Sequence, residues 1–136
     1  MPNICIVTAD PDFRALCGKA LPSAAVLSLC DTTMQDVLRI QPTVILFDLL
    51  HPAEWEDVRR LREEPKTRDV PLIVLTGWVW ADSRSRRRAR ELQCTAILAK
   101  PCPLPSLVDA LNRAAYDATS RDSATRATRG TVRTDT

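Results

Sequence analysis

Residues 43–52 read TVILFDLLHP, and the unbroken apolar run Val44, Ile45, Leu46, Phe47 is rich in strand formers and far too short to cross a bilayer. Such a run predicts a central strand of a parallel sheet, covered on both faces. It ends in a carboxylate, Asp48, with Pro52 four residues further on in a loop. In open α/β sheets ligands and chemistry gather at the carboxyl ends of the strands. Asp48 is therefore a candidate functional residue.

Working outward, residues 3–8 (NICIVT) predict a first strand, and Asp10-Pro11 opens a helix with an acid at the N-cap and proline at the first helical position. Phe13, Leu16, Cys17, Ala20 and Leu21 then recur at helical spacing as one apolar stripe. Residues 24–30 predict a second strand. Asp31 or Thr32 caps the next helix, Thr32 and Gln35 having capping-box spacing, with Met34, Val37 and Leu38 inward. After the central strand, Trp55, Val58 and Leu61 mark the buried side of a third helix over residues 53–64. Residues 70–76 (VPLIVLT) predict a fourth strand. An arginine-rich helix follows from Asp82 or Ser83 to Leu92, with Ser85, Ala89 and Leu92 inward. Residues 95–99 predict a fifth strand, and a fifth helix begins at Pro105-Ser106, with Leu107, Val108, Leu111, Ala114 and Ala115 on one face. The apolar pattern stops at Tyr116. The expected organisation is a domain over residues 1–116 and a disordered polar tail over 117–136. Strands alternating with helices at this spacing predict a doubly wound five-stranded α/β sheet with right-handed crossovers.

At 136 residues the chain is long enough to bury a core without metals or disulfides. A formal charge of +2 gives no global attraction to nucleic acid or membranes. No run is long and apolar enough for a membrane span, and the N-terminus lacks the basic and apolar regions of a signal peptide, so a cytoplasmic protein is expected. The five cysteines are scattered, without CxxC, and His51 is the one histidine, so zinc-ligand spacing is absent. Cys5, Cys17 and Cys30 fall on apolar faces and are expected to be buried thiols.

Four spaced signals, ADPDFR after strand one, ILFDLLHP at strand three, VLTG at strand four and ILAKP at strand five, resemble a bacterial response-regulator receiver domain of the chemotaxis-regulator (CheY-like) type. The resemblance covers residues 3–116 and implies strand order 2-1-3-4-5. It implies that Asp48 is the phosphoacceptor of two-component phosphorelay signalling. Thr76 would hydrogen-bond the phosphoryl group and Lys100 would pair with it, with a Lys100–Pro101 bond that is usually cis. A carboxylate that attacks phosphorus becomes an acyl phosphate, and a fixed ammonium and hydroxyl stabilise the charge on the phosphoryl oxygens. The implied partners are a histidine kinase or phosphotransfer protein and an output partner meeting helix four, strand five and helix five. Beyond its own phosphoryl transfer, such a domain is not an enzyme.

Departures from the pattern refine these expectations. The resemblance places Mg2+ on Asp48, on the backbone carbonyl of Leu50 and on two adjacent acids ending strand one. Those last positions hold Thr8 and Ala9. Asp10 is the nearest other carboxylate, and capping the first helix already accounts for it. Mg2+ is accordingly expected to be weak or absent, with Lys100 pairing directly with Asp48 in its place. Ile97 stands where the family has an aromatic switch residue, and is expected to remain packed. Arg84, Arg87 and Arg88 share one face of helix four, with Arg86 and Arg90 beside them, five arginines within seven residues. That face is either solvated or a docking patch for an acidic partner or phosphate backbone, with Trp78 and Trp80 as anchors in the adjoining loop.

The competing expectation is a degenerate receiver that binds partners independently of phosphorylation, as Thr8, Ala9 and Ile97 suggest. Phosphatases with an aspartyl nucleophile need a second Asp two residues later, and Leu50 stands there. A flavodoxin-like cofactor binder needs a Ser/Thr/Gly-rich phosphate loop after strand one, and ADPDF offers none.

Overall fold

The computed structural model describes residues 3–77 and 82–131, with side chains as far as Asp117. Five parallel strands, β1 (Ile4–Thr8), β2 (Ala25–Ser28), β3 (Val44–Leu49), β4 (Leu72–Gly77) and β5 (Ala96–Lys100), form one sheet in the order β2-β1-β3-β4-β5. Helices α1 (Pro11–Ala20), α2 (Thr33–Ile40), α3 (Trp55–Glu63), α4 (Ser83–Glu91) and α5 (Leu104–Thr131) connect or follow the strands, and a 3-10 turn, Pro52–Glu54, precedes α3. This is the doubly wound α/β sheet, in the expected order.

Alternation along the strands divides the core into two layers. Cys5, Val7, Ile45, Phe47, Leu49, Leu72 and Val74 pack against Val37 of α2, Trp55, Val58 and Leu61 of α3, and Ala89 of α4. Ile4, Ile6, Val44, Leu46, Ile73 and Leu75 face Cys17 of α1 and Leu107, Leu111, Ala114 and Ala115 of α5. Every residue of β1 and β3 is buried, as a strand covered on both faces requires. At about 1.5–3 kcal/mol per fully buried large aliphatic side chain, these two layers dominate the stabilisation.

Several local expectations are corrected. Thr32 makes no side-chain cap of α2. Its neighbour Thr33 instead ties the start of α2 back to the end of β2: its hydroxyl accepts from Cys30 N–H at 2.7 Å and donates to Ser28 C=O at 2.9 Å. Cys30 is exposed rather than buried, because β2 ends at Ser28 and the chain has already turned away from the sheet. Leu16 is 48 % exposed, since α1 buries fully only the narrow line through Cys17. The fifth helix does not stop with its apolar stripe. It runs to Thr131, where a disordered tail was expected from residue 117. A nucleated helix gains one backbone bond per added residue, and no proline follows Pro105 to interrupt it.

Among the described residues, no helix is long and apolar enough to cross a membrane.

Candidate functional site

Asp48 occupies the penultimate position of β3 and is fully buried. By alternation it shares the α1/α5 side of the sheet with Leu46, which brings it beside the ends of β1 and β5. Its two carboxylate oxygens are held differently, Oδ1 by charge contact without an aligned hydrogen bond and Oδ2 by a hydrogen bond. Lys100 Nζ, from the last residue of β5, lies 2.8 Å from Oδ1. The hydroxyl of Thr8, the last residue of β1, donates to Oδ2 at 2.7 Å. That hydroxyl also accepts from Asp10 N–H at 3.0 Å, which ties the carboxylate to the entrance of α1.

Lys100 reaches Asp48 across the end of β4, and its register partner there is Gly77, which presents no side chain in the way. The ammonium also stands 5.0 Å from the ring centroid of Phe13 on α1, within cation–π range. The lysine side chain keeps 30 % of its surface in water while the acid keeps none. The charge of Asp48 is felt by its neighbours: Cys17 is pushed up to about 11, first by burial and then by the Asp48 carboxylate, with Lys100 opposing.

Thr76 lies on the adjoining strand, in register with Leu49 rather than Asp48, and is buried. Its hydroxyl faces the carbonyl of Gly77 at 3.5 Å and makes no bond to Asp48. The structure thus brings the acid and the amine into contact and leaves the hydroxyl of Thr76 one strand away. Thr8 fills the second place at the carboxylate. It drew attention in the sequence only as a replaced acid, although its position at the end of a strand flanking β3 was a usable signal. Phe13 was read as core alone.

The other candidates fall as follows. Asp10 is the N-cap of α1, its Oδ1 accepting from Asp12 N–H at 2.9 Å. Leu50 N–H donates to Glu54 Oε1 at 2.8 Å, fixing the loop beyond Asp48. Ile97 is half-buried and packs on the α2/α3/α4 layer. Arg84, Arg86, Arg87, Arg88 and Arg90 are all exposed on α4, over a helix anchored by buried Ser85 and Ala89. None of the five forms an ion pair among the described residues, and Arg87 and Glu91 do not pair. Trp78 and Trp80 lie outside the described residues.

The donor set does not fit a divalent ion. Magnesium requires octahedral oxygen ligands, including carboxylates. Here one oxygen of Asp48 faces an ammonium, the other a hydroxyl donor, and Asp10 is turned to the helix terminus. Among the described residues, no three His, Cys, Asp or Glu side chains gather where an ion could be held.

The sequence matches no family profile and no curated protein. Its fold has clear counterparts among solved structures. Chemotaxis protein CheY4 of Vibrio cholerae aligns with a TM-score of 0.71 at 19 % identity, over 84 % of this chain and 98 % of its own. The signal receiver domain of a signal transduction histidine kinase from Syntrophus aciditrophicus aligns with a TM-score of 0.70 at 22 % identity, over 86 % and 92 %. The BeF3-activated N-terminal receiver domain of RstA from Klebsiella pneumoniae gives 0.68 at 20 %, over 83 % and 97 %. The chain has the fold of a CheY-like response-regulator receiver domain.

Proposed function

We propose that this domain works as a receiver in two-component signalling, with Asp48 accepting a phosphoryl group from a histidine kinase or phosphotransfer protein. The observation that carries this reading is the buried Asp48–Lys100 pair at the carboxyl edge of the sheet. In the reaction an Asp48 oxygen attacks the phosphorus of a phosphohistidine. The new O–P bond makes an acyl phosphate, and the N–P bond breaks with its electron pair returning to the imidazole. Because the acid is wholly covered, Lys100 must first swing outward. Its partly solvated side chain allows that, and the ammonium then follows the charge onto the phosphoryl oxygens. Thr8 is the hydroxyl already on the carboxylate, and Thr76, in register with Leu49, would have to turn from the Gly77 carbonyl to reach the same group. Output passes through α4, β5 and α5, where Arg84, Arg87 and Arg88 offer exposed positive charge to a partner.

Incubation with a small acyl-phosphate donor, followed by intact-mass measurement, tests this reading. The expected result is one added phosphoryl group, absent from Asp48→Asn. No added mass under any donor or metal condition overturns it.

A second reading has its own observation in support. With Lys100 neutralising the carboxylate and Thr8 bonded to its other oxygen, the charge-paired form needs no phosphate to balance its charge. The domain would then bind its partner constitutively, and binding would survive Asp48→Asn unchanged.

A further inference from the structure

We propose that the Asp48 site takes no divalent ion and runs on an internal cation instead: the Lys100 ammonium neutralises Asp48, while Thr8 holds its second oxygen where an acidic metal ligand would otherwise compete for the ion. This rests on the reading of Asp48 as the domain's functional carboxylate.

Three features of the geometry carry it. The first is charge balance. One carboxylate and one ammonium in contact sum to zero, and a dication brought to the same spot would meet a positive neighbour, with no cluster of acidic ligands gathered there among the described residues. The second is lone-pair occupancy. Thr8 Oγ1 donates its proton to Asp48 Oδ2 and itself accepts from Asp10 N–H, so its orientation is fixed from both sides. Its proton and one of its two lone pairs are thereby committed, which leaves a single neutral lone pair where a divalent ion needs a carboxylate. The third is support for the lysine. Phe13 lies under the ammonium, and the aromatic face favours the charged group in its inward position. Thr8 is here a positioning residue, acting through the carboxylate it orients.

The consequence is a receiver fold whose central carboxylate is indifferent to magnesium. Its conformation is set by whether Lys100 is in or out, and by nothing the solvent supplies as a divalent ion.

Titration of the full chain with magnesium chloride, followed by calorimetry and tryptophan fluorescence, tests this directly. Wild type is expected to show no saturable response at millimolar Mg2+ that depends on Asp48. The Thr8→Asp/Ala9→Asp variant places two carboxylates at the end of β1 and is expected to give a saturable response about tenfold or more below the highest Mg2+ concentration at which wild type shows none, as Coulomb attraction dictates. A saturable wild-type response that Asp48→Asn abolishes overturns the proposal. Should the double variant fail to fold, the comparison of wild type with Asp48→Asn decides alone. Phosphoryl acceptance is read separately: mass gain in the presence of a chelator leaves both proposals standing, whereas mass gain only with Mg2+ keeps Asp48 as the acceptor and overturns the internal cation.

Discussion

Lys100 Nζ and Asp48 Oδ1 meet at 2.8 Å although their strands, β5 and β3, are not neighbours but flank β4. The contact therefore clamps three strands at the sheet's carboxyl edge. It is also unequal, with a fully buried acid and a base whose side chain is 30 % exposed. Removing the base leaves the acid buried without a cation, and losing one partner of a buried pair costs about 3–5 kcal/mol. Partial solvation of Lys100 places Lys100→Met at the low end, about 3 kcal/mol. The Asp48→Asn/Lys100→Met double variant removes both charges and is expected to recover more than half of the loss. Urea unfolding midpoints measure all three, and a single variant no less stable than the double one contradicts the buried-pair account.

Two buried thiols make stability fall on the alkaline side. Burial, followed by the charge of Asp36, pushes Cys5 up to about 12, and Cys17 stands at about 11, both against an ordinary value of 9.0. Below pH 9 both states hold the proton and the stability is complete. Above it the unfolded chain ionises first, so the native state binds more protons and stability falls with pH. Each thiol contributes a slope of about 1.4 kcal/mol per pH unit until its folded value is reached. Urea midpoints are expected to be level from pH 7 to 8.5 and to fall between pH 9 and 11, less steeply in Cys5→Ala. Cys30 behaves oppositely. It is exposed, and hydrogen bonds from Thr32 and Thr33 hold its thiol below the ordinary value. Mild alkylation of the native protein is expected to label Cys30 well ahead of Cys5 and Cys17, as peptide mapping will show.

What the sequence made legible follows from period. β3 and β4 are continuous apolar runs, and Trp55, Val58 and Leu61 repeat at helical spacing, so the strands, the helices and the central acid could be placed from pattern alone. The Asp48–Lys100 contact was anticipated from the missing acids at Thr8 and Ala9. Other features depend on relations between distant elements, which pattern does not encode. Thr8 reads as the end of a strand until β1 and β3 are set side by side. Leu16 belongs to a correct helical stripe, yet only the sheet's edge determines how much of that stripe is covered. The continuation of α5 was missed because apolar periodicity reports packing, and a helix can extend beyond its packed part.

Arg62 is a second polar anchor, one that no motif signalled. It is held on α3, and its Nη1 donates to the carbonyls of Thr67, Arg68 and Val70 at 3.1, 2.8 and 2.7 Å, while Nη2 reaches Gln93 C=O at 3.3 Å. Burial pushes its guanidinium below the ordinary arginine value, with the neighbouring Cys94 opposing. One side chain thus binds the loop entering β4 to the turn between α4 and β5, where Gln93 adopts φ 55°. Hydrogen bonds from a charged donor contribute about 1.5–3 kcal/mol each, though shared geometry makes them less than additive. Arg62→Ala is expected to cost about 3 kcal/mol, and Arg62→Lys most of that, because an ammonium lacks the planar fork. Hydrogen exchange should show lost protection at Val70 N–H, which donates to Thr67 C=O at 3.0 Å, before the rest of the sheet is affected.

The arginine face of α4 should separate binding from stability. Asp82 caps this helix, its Oδ1 accepting from Ser85 N–H at 2.9 Å, and that bond foremost, with Arg84 assisting, holds its carboxyl below the ordinary value. The helix is therefore secured by its cap and by Ser85 and Ala89 beneath it, while Arg84, Arg87 and Arg88 are exposed and form no ion pair among the described residues. Exposed substitutions away from such anchors stay within about 0.5 kcal/mol. Arg84→Gln/Arg87→Gln/Arg88→Gln is accordingly expected to unfold at nearly the wild-type urea midpoint. Retention on an immobilised polyanion should fall, with elution at lower salt, because three charges that compete with counterions are gone. Asp48→Asn should elute with wild type, since that carboxylate is buried on the other side of the sheet from α4. A triple variant that unfolds early instead would place these arginines among the helix's supports, and an unchanged elution would leave α4 as a solvated face with no part in binding.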